Sequence, residues 1–248
     1  MSPTSAHVPF VPASPELGTA AARWVLDGTT DFGTRVSALL PAGLPAYARI
    51  LHPAWLEVHG TSRQVRWAEV ARANGRTAHR LMQWPGITGI ANINEWQYGQ
   101  ASVYDEAPEQ GSLPEEAGRP LVEILRRHTK TPGNCWFGLW HGFGGLERLP
   151  RNAEVGMPGR TLWLYSATLD DAPESFEAPP RHQTANLWWP EDQAWCVATD
   201  IDLISTYVCG SAELVDELLT SSDLDVYPAG PEDPIHLRAD QINPYPEL

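Results

Sequence analysis

Residues 188–219 read WWPEDQAWCVATDIDLISTYVCGSAELVDELL, and the local signals within them agree on one arrangement. A Trp pair stopped by Pro190 leads into a β-branched run, a short acidic interruption, a second β-branched run, then Gly210-Ser211 and apolar residues at helical spacing. If the turn is centred on Asp202-Leu203, Val197 faces Val208, Thr199 faces Thr206 and Ile201 faces Ile204 on one side of a hairpin. The other side then pairs Cys196 with Cys209, Ala198 with Tyr207 and Asp200 with Ser205. Leu203 accepts a positive φ poorly, so the spacing predicts a four-residue loop on a type I turn rather than a tight two-residue turn. Ser211 is placed to cap the following helix, with Glu213 near its positive end and Leu214, Val215, Leu218 and Leu219 turned to the sheet. Leu224 to Tyr227 adds an edge strand that Pro228 stops.

Outward from this hairpin the chain alternates short strands with isolated helices. Pro15 and Glu16 open a helix that Gly28 ends, Val36 to Leu40 is a short apolar piece, and Ala46 to Leu51 reads as a strand turned by His52-Pro53-Ala54-Trp55. Ser62 to Ala73 reads as a helix, with Val65, Ala68 or Glu69, and Arg72 at helical spacing, and Trp84 to Gln110 is irregular. Pro120 to His128 is a helix with Leu121, Ile124 and Leu125 in one stripe and basic residues at its C-terminal end. Cys135 to Leu139 and Thr161 to Tyr165 read as strands. On strand spacing, Trp136 and Trp140 share one face and Phe137 and Leu139 the other, which assigns both Trp residues to the core. A Pro-rich acidic connection, Asp170 to Pro180, precedes the return to the sheet. The expected fold is α+β, a largely antiparallel sheet packed by a few helices with long irregular loops. Residues 1–14 are expected to form a flexible arm and residues 15–248 a single domain.

Composition narrows the function classes. With 42% hydrophobic and 19% charged residues, the 248-residue chain can bury a core without help from metals or disulfides. No apolar run approaches the ~20 residues that cross a bilayer, and Met1 to Val11 lacks the basic and apolar regions of a signal peptide, so no membrane association and a cytoplasmic location are expected. The three cysteines, Cys135, Cys196 and Cys209, have no CxxC spacing and are expected to be reduced. Basic residues number sixteen Arg and one Lys, Lys130. Residues 1–150 carry 13 acidic and 13 basic side chains, and residues 151–248 carry 18 acidic and 4 basic, so the whole net charge of −14 lies in the last two-fifths. That balance excludes phosphate-backbone binding by the C-terminal part, since duplex binding rests on Lys and Arg, and it suits a basic protein partner. The one basic patch is Arg63, Arg66, Arg72, Arg76 and Arg80. It lacks the aromatic interleaving of RNA-binding sheets and any helix-turn-helix, and internal docking against the acidic C-terminal part accounts for it.

Few residues carry a chemical signal. Asp200 and Asp202 lie two apart, which on a strand puts both carboxylates on one face, as acid–base or divalent-metal chemistry would need; strand ends are also commonly acidic because loops are solvated. The Trp188-Trp189 pair offers large apolar surfaces with one donor each, as surface anchors or pocket walls. Cys196 and Cys209 read as small buried hydrophobes rather than a disulfide or metal pair. Eight His residues include no HxH or HExxH spacing, so no metal and no cofactor are expected. Cys135 with His141 is a conceivable nucleophile and base, without a third orienting group. Gly142-Phe-Gly-Gly lacks the GK[ST] ending of a phosphate loop.

On these residues, WWPEDQAWCVATDIDLISTYVCGS, with GNCWFGLWHGFGG upstream, the chain resembles a family of uncharacterised proteins from high-GC bacteria. The resemblance implies no activity and brings no catalytic residue to this chain. Two readings of function follow from the sequence. One is a non-enzymatic binding protein of the immunity or antitoxin kind that engages a basic partner through its acidic C-terminal part, with Trp188, Trp189, Asp200 and Asp202 as candidate binding residues. The other is an enzyme acting on a small ligand in a Trp-lined cleft, with Asp200 or Asp202 working beside His141.

Overall fold

The hairpin predicted at Cys196–Gly210 lies in the interior of a nine-stranded antiparallel sheet. The computed structural model describes residues 9–30, 33–146 and 149–247. Its strands are β1 (Val11–Pro12), β2 (Ala46–Leu51), β3 (Ala54–Val58), β4 (Thr61–Val65), β5 (Cys135–Trp140), β6 (Ala153–Met157), β7 (Arg160–Ala167), β8 (Leu187–Pro190), β9 (Cys196–Ala198), β10 (Ser205–Gly210) and β11 (Asp225–Ala229). The helices are α1 (Pro15–Gly28), α2 (Trp67–Ala73), α3 (Trp84–Thr88), α4 (Glu115–Arg126) and α5 (Ala212–Thr220). The main sheet runs β1-β7-β5-β8-β9-β10-β2-β11, with β6 alongside β7, while β3 and β4 form a separate hairpin. The fold is α+β.

The register matches the reading of the opening stretch. Cys196 pairs with Cys209, Val197 with Val208 and Ala198 with Tyr207. Thr199 Oγ1 and Thr206 Oγ1 meet at 2.6 Å. The loop closes with Leu203 N–H donating to Asp200 O at 3.0 Å, a four-residue β-turn. Because side chains alternate along each strand, the two faces feed separate cores. Phe137, Tyr165, Trp188, Val197 and Val208 pack on one face with Leu121 and Leu125 of α4 and Leu214 and Leu218 of α5. Leu164, Trp189, Cys196, Tyr207 and Cys209 pack on the other with Ala22 and Val25 of α1 and with Val36, Leu39 and Leu40. A third cluster joins α2, α3 and the β3–β4 hairpin through Trp67, Trp84 and Tyr104. Ser211 Oγ accepts from Leu214 N–H at 3.2 Å and caps α5. Leu219, expected on the apolar face, is exposed.

Several boundaries differ from expectation for identifiable reasons. Ser62 to Ala73 is not one helix: His59 and Gly60, with φ of 52° and 80°, turn the chain so that Thr61–Val65 pairs with Ala54–Val58. Only then does α2 begin, where Glu69 Oε1 accepts from Arg66 N–H at 3.1 Å. Ala54 and Trp55, read as a turn, are therefore the start of β3. Helix α4 starts at Glu115, before Pro120, which sits inside it and gives up one backbone donor. Strand β11 continues through Pro228, tolerated because it is an edge strand with one partner, β2. Of the stretch read as a loose arm, residues 1–8 lie outside the described residues, and residues 9–14 lie on the sheet. Val11 and Pro12 pair with Ser166 and Tyr165, and the Phe10 ring stacks on Phe176 at 4.0 Å beside Phe137 at 5.2 Å. Pro and Ser content suggests a loose arm only until one buried aromatic pins it. The Asp170–Pro180 connection does not divide the sheet, since β8 beyond it pairs with β5 before it.

Candidate functional site

The structure moves the aromatic candidates. Trp188 and Trp189 are each 1% exposed, so neither is a surface anchor. Their strand β8 lies between β5 and β9 with both faces covered. Trp188 stacks against Phe137 at 6.0 Å and meets the Trp195 edge at 5.5 Å, while Trp189 is covered by Trp24 at 6.4 Å. Trp136 and Trp140, assigned to the core from their spacing, are instead half-buried. Alternation says which face a residue takes but not what lies over that face.

The acidic and nucleophilic candidates also resolve. Strand β9 ends at Ala198, so Asp200 and Asp202 lie in the turn rather than on one strand face. Asp200 pairs with Arg160, both side chains largely buried, and its Oδ1 accepts from Asp202 N–H at 3.1 Å. Asp202 is exposed. The His141 ring stands edge-on to Trp140 and Trp163, and no hydrogen bond or ion pair among the described residues joins it to Asp200 or Asp202. Cys135 is buried with Sγ toward the carbonyls of Thr131 and Pro132, and burial pushes its pKa up to about 12, far from a reactive thiolate. The three cysteines are free, and burial followed by the contact with Cys209 drives the Cys196 pKa well up. Among the described residues no group of three or more His, Cys, Asp or Glu side chains could hold a metal ion, and no helix is long and apolar enough to cross a membrane.

Part of the segregated charge is paired within the chain. Arg80 pairs with Asp233, Arg66 reaches the Ser222 carbonyl, and His79 Nε2 lies 2.8 Å from Asp240 Oδ1. Trp67 N–H donates to Asp225 Oδ2 at 3.1 Å. Arg127 and His128 converge on Glu217 and hold its carboxyl below the usual range, while Glu213 is lowered by its own backbone N–H and by Ser211 at the α5 cap. The groove of about 700 Å³ between α4 and α5 is therefore walled by groups such as Arg119, Arg127 and Asp170 that already have partners.

The centre of the sheet carries a closed polar network. His52 is fully buried, its Nδ1 2.6 Å from the Glu109 carbonyl and its Nε2 2.9 Å from Thr206 Oγ1. A carbonyl only accepts, so Nδ1 carries the proton and Nε2 accepts from Thr206, whose oxygen meets Thr199. Burial lowers the His52 pKa to about 4 against the pull of the Glu109 carbonyl, and Arg49 adds to the lowering. Arg49 itself, 3% exposed, lies between Trp67 and Tyr207 and donates to the Met82 carbonyl at 2.9 Å and Ser205 Oγ at 3.2 Å. These groups are spent on one another.

A second groove, of about 570 Å³, lies where the end of β7, the start of β5 and the end of β8 meet. This falls within the range of ligand pockets. Val11, Ala167 and the Trp136 indole supply its apolar surface, and Asn134, Ser166, Thr168, Asp171 and Glu191 supply polar groups. Trp136 and Ser166 are cross-strand partners and both line the groove. Trp136 Nε1 donates to Glu191 Oε2 at 2.5 Å, and Glu191 is itself set by its N–H donating to the Asn134 carbonyl at 2.9 Å. Asp171 Oδ2 accepts from Thr168 N–H at 2.9 Å and from its hydroxyl at 2.7 Å. Among the described residues no Lys, Arg or His lines the groove. Glu191 was legible only as the residue after Pro190, and Asp171 only as part of an acidic connection; neither carries a sequence signal that separates it from ordinary loop acids. Comparisons with protein-family models, curated proteins and solved structures find no match to this chain.

Proposed function

We propose that the protein acts by binding rather than by catalysis, and that it engages a basic protein partner at the Trp136 groove. The observation that carries this reading is the lining itself: Trp136 and two carboxylates, Glu191 and Asp171, with no cationic side chain among the described residues that line the groove. Both carboxylates belong to the acidic C-terminal part of the chain. Apolar surface supplies contact area, and the carboxylates select positive charge and speed its approach. The acids of residues 213–225 fit this role less well, because Glu213, Glu217 and Asp225 are engaged in capping or pairing.

The test compares two double substitutions of equal charge. A peptide alternating Lys and Arg with Gly and Ser is titrated into the full chain by calorimetry at ~0.15 M salt, where long-range attraction is screened. Glu191→Gln with Asp171→Asn weakens binding about tenfold, as two charge contacts would, whereas Asp216→Asn with Asp223→Asn on the exposed surface changes it by less than about twofold. Equal weakening by both pairs would mean general attraction to a chain of net charge −14 and would overturn the groove as the binding site.

A further inference from the structure

Resting on the groove reading, we infer that the group the groove receives is an arginine side chain, stacked on the Trp136 indole and shared between Glu191 and Asp171. Glu191 uses Oε2 on the Trp136 indole N–H and Asp171 uses Oδ2 on Thr168. Glu191 Oε1 and Asp171 Oδ1 accept no hydrogen bond from any described residue. One acceptor on each of two carboxylates beside one aromatic face is a planar problem. A guanidinium answers it: it is flat, carries five N–H donors in a fixed fork, sheds water more readily than an ammonium and stacks on an indole. An ammonium presents a compact, strongly hydrated charge with no flat face and gains less from the ring. Val11 and Ala167, together with Pro9, give the methylene stem apolar surface to lie along. The hydrogen bond from Trp136 to Glu191 further fixes the ring and the carboxylate relative to each other before anything binds, which lowers the ordering cost of complex formation.

The experiment uses two fluorescein-labelled dodecapeptides with the same Gly/Ser spacing, one with three Arg and one with three Lys, read by fluorescence polarisation on the full chain at ~0.15 M salt. The Arg peptide binds the unsubstituted protein about fivefold tighter than the Lys peptide, the size expected of one stacked cation. Trp136→Leu keeps apolar volume without a π face and brings the two peptides to equal affinity, while Trp136→Phe retains most of the preference. Circular dichroism confirms that each variant is folded, and Glu191→Gln provides an arm that leaves the ring in place: it weakens the Arg peptide more than the Lys peptide. Equal affinities on the unsubstituted protein, with both lowered by Glu191→Gln, overturn the arginine assignment and leave a basic partner standing. Binding of neither peptide, or binding indifferent to Glu191→Gln, overturns the groove reading and this inference with it. An Arg preference that survives Trp136→Leu overturns the stacking.

Discussion

Trp136 and Trp189 are direct cross-strand partners, yet one is half-buried at a groove and the other is 1% exposed. The two sit in the same sheet, on the same face, within one pair of neighbouring strands. The difference is the layer above. Helix α1 brings Trp24 over Trp189, while Trp136 lines a groove with Val11, Ala167 and Glu191. The same contrast separates the sheet's centre from its end. At the centre His52, Thr206 and Thr199 are hydrogen-bonded to one another and to the Glu109 carbonyl inside the protein. At the end, Glu191 and Asp171 keep an acceptor turned to a groove.

Substitutions can break or sharpen that contrast. The largest effect belongs to Trp189→Ala, which empties a covered site and is expected to cost about 3–5 kcal/mol, against about 1 kcal/mol for Trp136→Ala, both read by denaturant unfolding. Similar losses at the two positions would erase the distinction between covered centre and open end. Next comes His52. Its folded pKa of about 4 lies below the ordinary 6.5, so the unfolded chain binds a proton across that window and the folded chain does not. Stability contributed by the neutral ring is complete above pH 6.5 and is lost progressively as pH falls toward 4, about 3 kcal/mol in all. An NMR titration in which the His52 ring protonates near 6.5 in the folded protein would show that the centre is not closed to solvent. The smallest effects belong to the turn aspartates. Asp200→Ala removes the ion pair with Arg160 and a turn acceptor, costing about 1–3 kcal/mol, whereas Asp202→Ala at the exposed neighbour changes stability by less than about 0.5 kcal/mol. Thermal unfolding of the two variants ranks them, and an equal cost would contradict the structural role given to Asp200.

Where sequence reading succeeded, the information was local. The pairing of Cys196 with Cys209, the Ser211 cap and the α+β class all follow from alternation, turn residues and a capping hydroxyl within a few positions of each other. Where it failed, the deciding contact came from far along the chain. The Ser62–Ala73 periodicity imitates a helix because the His59-Gly60 turn lacks a commonly recognised dipeptide, and the strand β4 it launches is mostly exposed and polar. Phe10 looked like part of a loose arm because Phe137, Tyr165 and Phe176 lie more than a hundred residues away. The groove was illegible for the same reason: Trp136 lies on β5, Asp171 in the 3-10 turn after β7 and Glu191 just after β8, and only the folded chain brings all three to one groove.

Strand β2 sits between β10 and β11, and so both of its hydrogen-bonding edges are satisfied by residues 205–229. During synthesis this apolar segment therefore leaves the ribosome about 150 residues ahead of either native neighbour. For that interval Ala46–Leu51 is a bare, sticky edge, and the chain must keep it from pairing with the wrong strand or with another nascent copy until its last quarter arrives.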